Sequence, residues 1–175
     1  MRASADDEYV EYVTARLPDL RRLGALLCGD GHRADDLVQQ TITKLYVGWA
    51  RIRTVDNLDS YVRTMLTNTF LSERRSPWAR VRLFSKGPDP EVAPSPPGSY
   101  PAAVEEREVV AAALAKLPCR QRAVLVLRFM CDLSVAEVAA TLRCSEGTVK
   151  SHTHRGLAAL RQLLDTPAFT PCGRV

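Results

Sequence analysis

The chain has 175 residues, 46% of them hydrophobic and 25% charged, which is the composition of a globular protein with one core or two small ones. No apolar run approaches the ~20 residues that cross a bilayer, and the acidic, polar start MRASADDEYVEY has no signal-peptide character, so a cytoplasmic protein with no membrane insertion is expected. The net charge of +4 is unevenly placed: residues 1–36 hold five Arg against eight Asp/Glu, and residues 37–86 hold nine Lys/Arg against three acids. An acidic front and a basic block suit a protein partner on one surface and a polyanion on another.

The five cysteines, Cys28, Cys119, Cys131, Cys144 and Cys172, are scattered without a CxxC pair. In a reducing compartment they read as small buried residues or free thiols, and no zinc site or other cofactor is expected.

Residues 6–29 carry Tyr9, Val13, Leu17, Leu20, Leu23 and Leu27 near helical spacing, and Pro18 is expected to end or kink this helix. Gly29, Asp30 and Gly31 read as a turn, with His32 a surface or capping residue beyond it. The segment from Arg33 to Trp49 is a second amphipathic helix, with Leu37, Val38, Thr41, Leu45 and Trp49 as its buried stripe. Asp35 and Asp36 are expected in its first turn, at the positive end of the helix dipole. Gln39, Gln40, Thr43 and Lys44 are left outward.

A basic loop follows at residues 50–58, where Arg51, Arg53 and Asn57 combine charge with hydrogen-bonding capacity. The helix expected over 59–75 can turn Tyr61, Val62, Met65, Leu66, Thr69 and Phe70 inward. Arg63, Thr64, Thr67, Asn68, Leu71, Arg74 and Arg75 then face outward, a mixture of cations, amide and hydroxyls that suits contacts to nucleic-acid backbone and bases. From Ser76 to Pro101 the sequence turns rich in Pro, Gly and Ser and loses helical period, as a mobile tether does.

Beyond the tether, Val109, Val110, Ala113, Leu114 and Leu117 mark a helix over 104–117. Pro118 is a junction, and a helix over 119–130 takes Val124, Leu125, Leu127 and Phe129 into the core. Residues 134–164 read as two short helices around a turn at Arg143 and Cys144, with Ser145 as N-cap of the second. That second helix sets Val149, Gly156, Leu157, Leu160 and Leu164 on one face, and Glu146, Gly147, Lys150, Ser151, His154 and Arg155 on the other. A helix entering a major groove needs such a face, small at its N-terminus and bearing donors for bases and phosphates. The tail after Asp165 is expected to be disordered.

The expected architecture is therefore all-α, two small helical domains joined by a Pro-rich linker. The phrases DDLVQQTITKLYVGW at 35–49, YVRTMLTNTFLSERR at 61–75, LPCRQRAVLVLRFMCDLSVAEVAATL at 117–142 and CSEGTVKSHTHRGLAALR at 144–161 resemble the extracytoplasmic-function sigma factors of the sigma-70 family. The likeness leans to the SigE-like group, in which Ser stands where many relatives have Asp, here Ser72. It implies a region 2 domain over 6–76, a linker over 77–103, a region 4 domain over 104–165 and a tail over 166–175.

The resemblance also implies roles. Asp35, Asp36, Gln39, Gln40 and Lys44 would bind core RNA polymerase at the β′ clamp, the β subunit being contacted as well. Arg51, Arg53, Asn57, Arg63, Thr64, Thr67, Asn68, Arg74 and Arg75 would read and open the −10 element of promoter DNA. Arg120, Arg122, Ser145, Glu146, Gly147, Thr148, Lys150, Ser151, His154 and Arg155 would read the −35 element. Members of the family are often held inactive by an anti-sigma factor. His152 and Thr153 depart from the family's common Arg and Leu. Two other classes compete: a stand-alone helix-turn-helix regulator, which needs nothing like residues 33–75, and a metal enzyme built on Asp35 and Asp36, which lacks a second acidic cluster.

Overall fold

The computed structural model describes residues 4–73 and 102–165; the tether, Arg74, Arg75, Cys172 and the tail lie outside the described residues. Helix α1, Ala5–Cys28, opens with a capping box: the Asp7 amide donates to Ser4 Oγ at 3.1 Å and the Ser4 amide to the Asp7 carboxylate at 3.0 Å. Hydrogen bonding from the Ser4 amide first, then from its hydroxyl, holds the Asp7 carboxyl below its ordinary pKa. The helix continues through Pro18, so the end expected there does not occur. Proline removes one amide donor, but Leu20, Leu23 and Leu27 are buried on its C-terminal side and Leu17 packs on the same core, so packing on both sides offsets the lost bond. Gly29 ends the helix in the left-handed region at φ 70, its amide donating to Ala25 O at 2.8 Å.

Asp30 then caps helix α2, Gly31–Ile52, accepting from the Arg33 amide at 2.9 Å. The cap starts α2 before Arg33, so Asp35 and Asp36 fall beyond its first turn, one turn later than expected. The buried stripe is the expected one, Leu37, Val38, Thr41, Leu45 and Trp49, with Ile52 added. Thr41 is tolerated inside because its hydroxyl donates to Leu37 O at 2.8 Å. Trp49 packs edge-on to Tyr9, at 5.4 Å between ring centroids, and beside Tyr12. Both tyrosines find acceptors, Tyr9 at Ile42 O (2.8 Å) and Tyr12 at the Asp59 carboxylate (2.9 Å); burial first, then Asp59, raises the Tyr12 pKa.

Helix α3, Leu58–Glu73, buries Val62, Leu66 and Phe70 as expected. Two positions are exchanged. Tyr61 is exposed rather than inward, and Thr67 is buried rather than outward, its hydroxyl satisfied by Arg63 O at 2.9 Å. The reason is a second layer over α3 supplied by the C-terminal helices.

Those helices are α4, Ala102–Ala115; α5, Cys119–Leu125, starting directly after Pro118; α6, Val135–Leu142; and α7, Glu146–Leu164. Between α5 and α6 the helix expected to continue to residue 130 widens into a π-helical turn, Val126–Met130, closed by the Cys131 amide on Val126 O at 3.1 Å. The wider turn shifts the register, and Phe129, expected in the core, stands 50% exposed. Ser134 and Glu137 form a second capping box at the start of α6, and Arg143 ends that helix at φ 50.

The two helical units are packed together as well as joined in sequence. One continuous apolar core runs from Leu20, Leu27, Leu37, Leu45, Leu66 and Phe70 into Leu114, Leu117, Ala123, Leu125 and Val126. A smaller cluster of Val124, Leu127, Val138, Ala139 and Val149 holds α6 and α7 to the turn before them.

Candidate nucleic-acid interface

The helix-turn-helix is built by short-range chemistry. Ser145 Oγ accepts from the Thr148 amide at 3.2 Å, which satisfies one of the orphan donors at the start of α7. A side-chain carbon added at Gly147 would meet only Ser145 Oγ, at 3.8 Å, so the N-terminus of α7 is unobstructed. Ser145, Glu146, Gly147, Lys150, His154 and Arg155 are exposed there, with Thr148 and Ser151 half-buried among them. Arg155 donates to Ser151 Oγ at 2.6 Å, which limits the reach of its guanidinium along the helix. On the opposite face Val149 and Gly156 are buried; a side-chain carbon at Gly156 would lie 3.1 Å from Leu125 Cδ1, so α7 crosses α5 at glycine distance.

His152 lies half-buried at the edge of this face with Nδ1 buried and unpartnered among the described residues. Burial first, then the charges of Arg155 and Arg120, holds its pKa below the ordinary value. That both arginines act on one imidazole places exposed Arg120 on the same positive surface as Arg155. Arg122 is elsewhere. It is 3% exposed, and its guanidinium donates to Leu27 O at 2.8 Å, to Leu117 O at 3.1 Å and to Ala115 O. In this arrangement it is not on the surface, because the carbonyls of Leu27, Ala115 and Leu117 hold it inside.

On α2, Asp35, Asp36, Gln39, Gln40 and Lys44 are all exposed, as the period requires. Several are already engaged: Asp35 pairs with Arg21 at 3.2 Å, Gln40 donates to Glu73 at 2.6 Å and Lys44 to Thr69 Oγ1 at 3.1 Å. Exposed pairs of this kind contribute little energy and can be exchanged for a partner's groups. Among the described residues no cluster of three or more His, Cys, Asp or Glu is placed to hold a metal ion.

The C-terminal half of α2 and α3 line two adjoining grooves, and Arg51, expected in a loop, lies in the last turn of α2 because the helix runs on to Ile52. One, of about 530 Å³, is walled by Lys44, Val47, Gly48, Ala50, Arg51, Ile52, Tyr61 and Met65. The other, of about 360 Å³, has Lys44, Tyr61, Thr64, Met65, Asn68, Thr69 and Ser72 on one side and Arg143 on the other. Thr64 and Asn68, assigned from the sequence, are thus brought together, with Arg63 half-buried nearby on the same helix. Thr67 is turned away from both grooves by its burial. Arg53 is paired with Glu8 at 2.6 Å, and Asn57 accepts from the Ser60 amide at 2.9 Å, which gives it a turn-forming role at the start of α3.

Sequence reasoning missed Val47, Tyr61 and Met65 as groove residues. Val47 did leave a signal: it is an apolar residue on the polar face of α2, and it is 83% exposed. An exposed apolar wall beside Arg51 fits the flat face of an unstacked base, with the cation placed for the phosphate that follows.

Comparison with known proteins supplies the family. Residues 12–80 match the model of Sigma-70 region 2 and residues 107–160 that of Sigma-70, region 4. The chain is 35% identical over 157 residues to the RNA polymerase sigma-E factor of Streptomyces coelicolor, covering 90% of this chain and 86% of that one. It is 34% identical over 157 residues to the ECF RNA polymerase sigma factor SigL of Mycobacterium tuberculosis, covering 86% and 85%. Its fold is similar to that of the sigma factor RpoE of Bartonella quintana, solved in complex with the anti-sigma factor NepR, with a TM-score of 0.70 at 26% identity over 91% of this chain and 98% of that one.

Proposed function

The chain belongs to the extracytoplasmic-function sigma factors of the sigma-70 family, and from that premise we propose how its residues divide the work. The protein binds core RNA polymerase and directs it to particular promoters, where transcription starts. It is a regulatory protein, and polymerase carries out nucleotidyl transfer, so no side chain here needs to be catalytic. No helix among the described residues is long and apolar enough to cross a membrane, and the cytoplasm, where polymerase acts, is its proposed location.

The exposed face of α2, Asp35, Asp36, Gln39, Gln40 and Lys44, takes the β′ clamp. The grooves beside α3 take the −10 element, with Asn68 and Thr64 reading a base edge, Val47, Tyr61 and Met65 walling a flipped base, and Arg51, Arg53 and Arg63 on phosphates; Arg74 and Arg75 continue the same basic run. Opening DNA requires that unpaired strand bind better than duplex. Unstacking one base costs a few kcal/mol, which a pocket plus several charge-assisted phosphate contacts can offset. The exposed N-terminal half of α7, with Arg120 alongside, takes the −35 element as duplex.

The observation that carries this reading is the pairing of the two grooves beside α3 with an unobstructed, cationic α7 in one chain. A stand-alone helix-turn-helix regulator would have no use for the first. The Bartonella relative was solved with an anti-sigma factor, and such a partner here would compete for the α2 and α3 faces. Core binding and promoter opening separate the roles: Gln39→Ala with Gln40→Ala weakens binding to core polymerase, whereas Asn68→Ala retains core binding and loses permanganate-reactive thymines at the promoter. Loss of core binding in Asn68→Ala, or normal opening by it, overturns the division.

A further inference from the structure

An imidazole lies between two guanidinium groups on the DNA-facing side of α7. His152 is half-buried, at the edge between the buried Val149 and Gly156 and the exposed Lys150, His154 and Arg155. Its two ring nitrogens have different surroundings. Nδ1 is buried and unpartnered, whereas Nε2 is neither buried nor hydrogen-bonded among the described residues, so it opens to solvent. The charges that act on the ring are of one sign: Arg155, three residues on along α7, and Arg120, in the first turn of α5. Other charged groups on the helices packed against α7 are placed elsewhere. Arg122 of α5 turns inward to the carbonyls of Leu27 and Leu117, and Glu137 of α6 accepts from the Ser134 amide at 2.7 Å. Arg107 and Glu108 of α4 are exposed and do not shift the ring's titration.

Burial first, then the two arginines, disfavours the imidazolium, so the free protein presents an uncharged ring with one open nitrogen near neutral pH. A phosphate brought to Arg120 and Arg155 arrives beside this ring as well. Its negative charge offsets the guanidinium repulsion and favours the protonated form. In the imidazolium both nitrogens carry hydrogen, so Nε2 donates whichever tautomer the neutral ring holds. A donor that is itself charged makes a bond to a phosphate oxygen roughly twice as strong as a neutral one.

We propose that His152 is a further DNA-contact residue of α7: its open Nε2 donates to a backbone phosphate beside Arg120 and Arg155, and binding of the duplex draws a proton from solvent onto the ring. This rests on the assignment of α7 to the −35 duplex. The contact is to backbone, so it adds affinity without reading a base. The DNA-bound protein then holds more protons than the free one, and promoter affinity rises as pH falls. Uptake of a single proton changes affinity by at most about tenfold per pH unit.

The test uses the full chain with core polymerase and a fluorescent promoter duplex on which the wild type initiates. Anisotropy titrations run from about pH 6 to about pH 8, across the histidine range. The wild type is expected to bind severalfold more tightly at the lower pH. His152→Gln keeps a donor of similar size but cannot titrate, and loses most of that rise. His154→Gln, on the exposed face, keeps the rise whatever it does to affinity. His152→Arg fixes the charge: its affinity is flat across the range, and near the upper pH its salt dependence is steeper than the wild type's by about one phosphate contact. A packing role alone would move neither the pH profile nor the salt slope. Should His152→Gln lose helicity, His152→Arg decides by the same two readouts. The contact is overturned by a wild type indifferent to pH, by a rise undiminished in folded His152→Gln, or by His152→Arg with the wild type's pH profile and salt slope. Failure of the wild type to initiate on any promoter refutes the sigma-factor assignment instead, whereas a flat pH profile with initiation intact refutes the His152 contact alone.

Discussion

Ser134 and Ser145 each close the start of a helix of the DNA-binding unit with a single hydroxyl. Ser134→Ala removes the acceptor for the Glu137 amide and the counterpart of the capping box, and is expected to cost about 1 kcal/mol in urea unfolding. The Glu137 carboxyl is held below its ordinary pKa by the Ser134 hydroxyl and amide. Its contribution is therefore full above the ordinary carboxylate pKa and is lost as pH falls through the lowered value. His152 acts in the same direction by a different route. Burial and two arginines disfavour its imidazolium, so the folded state binds fewer protons than the unfolded one and stability falls as pH drops below about 6.5. His152→Asn is expected to flatten that part of the pH profile, read as the thermal midpoint between about pH 7 and pH 5; an unchanged slope would assign the sensitivity to other groups. A basic residue that goes inside is hard to foresee. Arg122 reads in the sequence as a phosphate contact, because nothing local shows that the carbonyls of Leu27, Ala115 and Leu117 converge on it.

Where a helix met one core, its period was readable. The stripe of α2, the apolar face of α7 as far as Leu160 and the Ser145 cap follow from spacing, because a 3.6-residue repeat with one wet side has one solution; the Asp30 cap of α2 did not, and Leu163 rather than Leu164 packs on the core. Where an element answers to two neighbours, spacing fails. Thr67 and Tyr61 exchange sides because α3 is covered twice, and Phe129 is turned out by a π-helical turn that no composition announces. Pro18 sits in an unbroken helix because leucines on both sides pack on one core. Gly156, readable as part of the apolar face, is needed for a stronger reason, the 3.1 Å approach to Leu125 Cδ1. Gly156→Val is expected to push α7 off α5 and destabilise the protein by about 1–3 kcal/mol in denaturant unfolding. A neutral result would show that Leu125 has room to retreat.

Two units in one chain were evident from the change of composition at residues 76–101, but their packing was not, because it is carried by residues such as Leu27, Leu117 and Ala115 that serve either an internal or a shared core equally well. One continuous apolar core is shared by the two units. On polymerase, under the proposed division of roles, binding one promoter element raises the effective concentration of the other DNA-binding unit at its own. Promoter-directed initiation with core polymerase is the central claim, and run-off transcription tests it most directly. Purified core RNA polymerase with this protein is expected to start transcripts from a subset of promoters in a genomic library, and neither component alone to do so; a library that yields no initiation from any promoter with both present would contradict the account.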